Sequence, residues 1–154
     1  GSFASNHPGK KPYEKGELGG LEQVLWPDHC VQGKKGAQFA ACLKMKRVEA
    51  IFRKGMDPSI DSYSGFFDNG HKKATGLGGY LRDRQVEEVH VVGLAADYCV
   101  FYTILDARLL GFQAVLVRDA TRPITEAGFR SALKTMTEQG ARVVLGTDIL
   151  GLKK

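Results

Sequence analysis

Hydrophobic positions recur at regular steps in the C-terminal half of the chain and irregularly in the N-terminal third. Val89 to Leu94 is a short apolar run broken at Gly93, which predicts a buried strand over 89–94. Val100, Ile104, Ala107 and Gly111 follow at steps of four, three and four, the buried stripe of a helix over 98–110. Ala114 to Arg118 repeats the strand pattern and ends in Asp119-Ala-Thr. Phe129, Ala132, Leu133 and Met136 stand at i, i+3, i+4 and i+7, predicting an amphipathic helix over 126–139 closed by Gly140. Ala141 to Leu145 is a last strand. Strands alternating with helices predict an α/β fold in three layers, a parallel sheet covered by helices on both faces.

The first half is harder to read. Residues 1–23 are polar, rich in Gly and Lys, and predict loop. In Leu25-Trp-Pro-Asp-His-Cys-Val31, Pro27 excludes a helix or strand interior, so His29 is expected in an ordered turn. Residues 37–46 predict a short helix with Cys42 on its packed side, and Glu49 to Lys54 a strand ending at Gly55. Residues 56–76 form a long loop, which at this length is more often functional than idle. A short helix is expected over 77–83. With no repeat, low-complexity tract or linker, residues 1–154 read as one domain.

Composition narrows the function classes. The chain has 43% hydrophobic and 25% charged residues and a net charge of +5. Its Lys pairs are scattered through expected loops with no interleaved aromatics, so a solvated surface is expected and no nucleic-acid partner. Three cysteines without a CxxC spacing argue against a disulfide framework and for a reducing, cytoplasmic setting. No apolar run approaches the ~18 residues of a membrane span, and no basic-then-apolar signal opens the chain.

The chemistry is expected at Cys99, where a buried strand turns into a helix. A thiol there faces the first free N–H groups of the helix and the positive end of its dipole, surroundings that stabilise negative charge. Ligands of open α/β sheets collect beyond the carboxyl ends of strands, which is this location. A buried, inert core cysteine is the competing reading.

Four motifs sharpen this. Trp26-Pro-Asp-His-Cys-Val31, Phe52-Arg-Lys-Gly55, Asp61-Ser-Tyr-Ser-Gly-Phe-Phe67 and Gly93-Leu-Ala-Ala-Asp-Tyr-Cys-Val100 occur in the order seen in nicotinamidases. The chain resembles that branch of the isochorismatase-like cysteine hydrolases from about Gly1 to Leu150. The resemblance implies hydrolysis of nicotinamide to nicotinic acid and ammonia, as part of NAD salvage. Cys99 would be the nucleophile that forms a thioester, and Lys54 would help hold the thiolate and the developing negative charge. The family's oxyanion hole falls on the amides of Ala95 and Cys99, and its cis peptide on the Leu94–Ala95 bond. Trp26 and Tyr98 match positions lining the ring pocket, and Tyr63 lies in a motif near it. His29 matches a ligand of a divalent metal (zinc, iron or manganese), although one His alone does not define a site. Cys30 is not the family nucleophile, and His7, His71 and His90 carry no role in this reading. Gly76-Leu-Gly-Gly resembles a phosphate loop only superficially, since no buried strand leads into it.

The sequence also departs from the family pattern. The family's first strand carries the catalytic Asp of an Asp–Lys–Cys triad, and a second carries an Asp-x-His pair that completes the metal site. Neither N-terminal strand has a counterpart here, and the strands at 49–53 and 89–94 would lose the neighbour between them. A fragment of a longer enzyme, completion by another copy or a complementing chain, and a catalytically incomplete binding or assembly module all remain open. Another isochorismatase-like amidase is a further alternative, against which the Trp-Pro-Asp-His-Cys signature argues.

Overall fold

Two glycines in succession, Gly19 and Gly20, both have positive φ (62° and 81°), the backbone that a two-residue hairpin turn requires. They join β1 (Lys15–Leu18) to β2 (Leu21–Val24) in an antiparallel ladder running from Lys15↔Val24 to Leu18↔Leu21. This hairpin corrects the expectation of loop over 1–23. Its signal was the Leu-Gly-Gly-Leu turn, hidden because the flanking positions are half polar. The computed structural model describes residues 1–151 and falls into two compact units, the first Gly1–Asp61 and the second from Ser62 onward.

In the first unit the hairpin leads into Leu25 and Trp26, which are buried together with Ala4 and Ile60. A parallel bridge pairs Phe3 with Trp26, closed by Ala4 N–H to Trp26 O and Trp26 N–H to Ser2 O, each 2.8 Å. Two expectations fail here. Residues 37–46 form no α-helix, only 3-10 turns at Lys35–Ala37 and Met45–Arg47, and Cys42 is exposed. Phe39 and Leu43 are half exposed, so no buried stripe exists to hold a helix. Residues 49–54 belong to no strand, and Ile51 is exposed. Apolar composition alone does not make a strand, because strand propensity largely reports packing against neighbours.

The second unit follows the predicted helical periodicity, but the strand expected to be buried over 89–94 is not: Val92 and Leu94 are exposed, because this strand stands at the edge of the three-stranded sheet. Helix α1 (Leu77–Asp83) precedes β3 (Glu88–Leu94), α2 (Cys99–Leu109), β4 (Gln113–Arg122), α3 (Glu126–Glu138), β5 (Arg142–Val144) and α4 (Gly146–Leu150). The strands form a parallel sheet in the order β3-β4-β5. Val100, Ile104 and Ala107 of α2 and Phe129, Ala132 and Met136 of α3 enclose a core with Ala114 and Leu116 of β4. Thr125 caps α3, its hydroxyl accepting Gly128 N–H at 3.0 Å. β4 runs past its expected end at Arg118, because the register jumps between Val91 and Gly93 and pairing resumes at Gly93↔Thr121 and Leu94↔Arg122. The first added residues, Asp119 and Ala120, are exposed and carry no strand-like burial pattern, which concealed the extension. Among the described residues no helix is long and apolar enough to cross a membrane.

Two predictions follow from this geometry. A Cβ on Gly19 would stand 2.5 Å from Ser59 O, whereas one on Gly20 would meet nothing within 4 Å. Both substitutions to Ala impose a left-handed residue, at about 1–2 kcal/mol, so Gly19→Ala should lower the urea midpoint clearly more than Gly20→Ala. The second concerns Glu88, whose carboxyl is held below the usual range first by its hydrogen bond from Arg142 and then by His90. A lowered carboxyl pKa stabilises above the unfolded value and loses that contribution as pH falls through the folded one. Arg142→Ala should therefore lower Tm modestly at about pH 6, with the effect shrinking as pH falls below the usual carboxylate range.

Candidate active site

β3 ends by delivering its last residues into a turn held from several directions. The Thr121 hydroxyl donates to Gly93 O at 2.6 Å, and Ala96 N–H donates to Arg122 O at 2.9 Å. The Leu94–Ala95 peptide bond is cis, as the family resemblance implies. Ala95 O then accepts both Tyr98 N–H and Val100 N–H at 3.1 Å, closing the turn against the start of α2. Asp97 is buried, and its carboxylate accepts Ile124 N–H at 2.9 Å and Thr125 N–H at 3.0 Å. One side chain thus ties the turn to the segment leading into α3, and the fit is close. A Cβ on Gly128 would lie 2.8 Å from an Asp97 carboxylate oxygen.

Cys99 is the first residue of α2, half-buried and outside any disulfide. The second unit therefore brings the predicted nucleophile and the predicted oxyanion residue Ala95 to one turn, at the positive end of an eleven-residue helix. Tyr98 immediately precedes the thiol. Burial first, and then the nearby Asp97 and Tyr102, push its phenol above the usual tyrosine range, so it stays neutral.

Tyr63 arrives from the long loop. Its ring stands edge-on to Tyr98, with centroids 5.6 Å apart, and tilted over Tyr102 at 5.4 Å. The loop is ordered by its own side chains. Asp68 is buried, and its carboxylate accepts the N–H groups of Gly70, Lys72 and Lys73. Ser62 donates to Phe67 O, and Thr75 donates to Gly65 O at 2.7 Å.

Trp26, His29 and Lys54 belong to the first unit. Trp26 is buried and meets Tyr13 edge-on at 6.0 Å. His29 is exposed, with Nδ1 2.7 Å from Pro27 O. A carbonyl only accepts, so Nδ1 is the donor in this contact, which in a neutral ring leaves the lone pair on Nε2, the arrangement of a metal-binding imidazole. Among the described residues no group of three or more His, Cys, Asp or Glu converges to hold a metal ion. Lys54 is exposed and does not stand at the end of a buried strand, because 49–54 is not a strand.

Sequence reading missed two residues that hold this turn, Asp97 and Thr103. Asp97 sat inside a quoted motif, but its partners lie 27 and 28 residues away. Thr103 stands one helical turn after Cys99, and its hydroxyl donates to Cys99 O at 2.6 Å.

Comparison with known proteins places this geometry. An isochorismatase domain matches residues 3–148. The nicotinamidase of Escherichia coli strain K12 is 46% identical over 147 residues, spanning 96% of this chain and 68% of that protein. A solved nicotinamidase/pyrazinamidase from Acinetobacter baumannii superposes with a TM-score of 0.92 at 44% identity, covering 96% of this chain and 72% of that one. The pyrazinamidase of Pyrococcus horikoshii, solved in complex with zinc, gives a TM-score of 0.68 at 36% identity over 78% of this chain and 63% of its own. With a domain match over nearly its whole length and a nicotinamidase relative 46% identical across most of both chains, the chain belongs to the isochorismatase family.

Proposed function

We propose that this protein is a nicotinamidase, an amidohydrolase that converts nicotinamide to nicotinic acid and ammonia through a thioester on Cys99. One observation carries the reading. Cys99 opens α2 directly after the turn that holds Ala95, beside the Tyr63–Tyr98 pair, in a chain 46% identical to a nicotinamidase.

The chemistry divides into two half-reactions. In the first, Cys99 Sγ gives up its proton and attacks the amide carbon, forming a C–S bond. The carbonyl oxygen takes the negative charge and is met by the N–H groups of Ala95 and Cys99. The C–N bond then breaks as the nitrogen gains a proton and leaves as ammonia. In the second, water adds to the thioester carbon, the C–S bond breaks, and nicotinic acid departs with the Cys99 thiol restored. Tyr98 and Tyr63 offer flat apolar faces suited to the pyridine ring, and a neutral Tyr98 phenol keeps a hydrogen-bond donor beside them.

Three roles rest on the motif resemblance. Lys54 stabilises the negative charge that develops at sulfur and oxygen, Trp26 contributes a further face for the ring, and His29 is one ligand of a divalent metal such as zinc, iron or manganese. The zinc complex of the Pyrococcus pyrazinamidase supports a metal in the family, and the protonated Nδ1 of His29 suits its ligand role. The resemblance also implies a carboxylate base and further metal ligands, which the four quoted motifs do not include. Three free thiols suit a reducing, cytoplasmic setting, and the nicotinamidase reading gives the protein a place in NAD salvage.

Cys99→Ala should lower ammonia release from nicotinamide by at least about 10³-fold, while Cys30→Ser and Cys42→Ser, both at exposed positions, should leave it unchanged. Turnover surviving in the Cys99 variant would remove that residue as nucleophile. Lys54→Met should lower kcat by about 10²-fold with little change in KM, and an unchanged kcat would exclude its charge-stabilising role.

A further inference from the structure

We propose that Thr103 is a positioning residue that couples the Tyr63 loop to the Cys99 turn and so sets the ring-binding face against the nucleophile. The inference rests on the nicotinamidase reading for the ligand it names. A threonine hydroxyl that bonds the carbonyl one turn back is ordinary in a helix and by itself means only that the hydroxyl is satisfied. Thr103 does more. The same oxygen that donates to Cys99 O at 2.6 Å accepts the N–H of Gly65, 38 residues away in the chain, at 2.9 Å. A single hydroxyl therefore bridges the backbone of the nucleophile to the backbone of the loop. Its donor and acceptor functions are both in use.

Neighbouring contacts show what this bridge fixes. Tyr63 lies two residues before Gly65, and its ring rests on Tyr98 and Tyr102. Further along α2, His71 Nε2 stands 3.1 Å from the buried carboxylate of Asp106. Positions 98, 102 and 106 repeat every four residues, and 99 and 103 run beside them, so the loop lies along one face of α2 beginning at the thiol. On the loop side, Gly65 O accepts the Thr75 hydroxyl at 2.7 Å, and Thr75 in turn accepts Leu77 N–H at 3.2 Å. Gly65 is thus clamped through both its N–H and its carbonyl. Of these links, only the Thr103 hydroxyl reaches the backbone of Cys99.

Loss of the hydroxyl should let the loop and Tyr63 leave the nucleophile turn while Cys99 and the helix remain. Ring binding should weaken more than the bond-making step. The test compares Thr103→Val, which keeps the shape and removes both hydrogen-bond functions, with Thr103→Ser, which keeps both. A Cys30→Ser/Cys42→Ser background allows active sites to be counted by alkylation of Cys99. Per active site, Thr103→Val should raise KM for nicotinamide about tenfold with kcat within about threefold. Amide hydrogen exchange over residues 62–66 should accelerate by a similar factor, and Thr103→Ser should restore both readouts. If the valine variant does not fold, Thr103→Ala is measured in its place with the same expected split. Wild-type KM and exchange in the valine or alanine variant would overturn the proposal. So would equal impairment of the serine variant, which would mean that the methyl group and its packing matter instead. Should the wild-type protein fail to hydrolyse nicotinamide, the functional reading falls, and exchange alone then decides for or against the coupling.

Discussion

The candidate site depends on how the last residues of β3 are handed to α2. Two bonds from β4 make that hand-over, the Thr121 hydroxyl on Gly93 O and the Arg122 carbonyl on Ala96 N–H. Both become possible because the β3–β4 register jumps by three residues after Val91. Without the jump, Thr121 and Arg122 would lie beyond the end of β3. With it, the strand end and the helix start are fixed to one neighbour, and Cys99 enters α2 at the position where helix N–H groups are unpaired within the helix. Asp97 adds the second anchor, tying the turn to the start of α3 through Ile124 and Thr125 N–H.

Those anchors are polar, short and partly buried, and the apolar core beneath them is continuous. Ile104, Ala107, Leu116 and Met136 are fully buried, so α2 has little freedom to slide under its first residue. The position of Cys99 at one end of the helix is thus supported by packing along its length. The aromatic group above the turn is assembled differently. Tyr98 and Tyr102 come from the helix, and Tyr63 from a loop ordered by Asp68, Ser62 and Thr75. An open loop whose polar groups are met by its own side chains can hold an aromatic face without belonging to a sheet.

Periodicity made much of the second unit legible. The stripe Val100, Ile104, Ala107 and the set Phe129, Ala132, Met136 are buried as their spacing required, because in helices the side-chain period is decided by the backbone alone. The first unit resisted the same reading. Its hairpin is announced by two glycines rather than by alternation, and the apolar residues at 37–54 are largely exposed, so composition there carried no burial. The site divides along similar lines. Cys99 was visible as a thiol between a strand and a helix. Ala95, Lys54, His29, Trp26, Tyr98 and Tyr63 were visible only through motifs, since nothing in their own spacing demands chemistry. Asp97 and Thr103 were hidden because the groups they hold in place, the N–H of Ile124 and Thr125 and that of Gly65, are distant in sequence, and a backbone N–H leaves no mark in a residue pattern.

The most direct test is to look for the covalent intermediate itself. Purified protein mixed with nicotinamide would be quenched in acid during turnover and its cysteine peptides weighed, with a parallel reaction run in hydroxylamine. The predicted result is a single nicotinoyl group on the peptide containing Cys99, with nicotinohydroxamate formed at the expense of nicotinic acid. Turnover that leaves Cys99 unmodified, and that gives no hydroxamate in hydroxylamine, would contradict a thioester at this turn and with it the role assigned to Cys99.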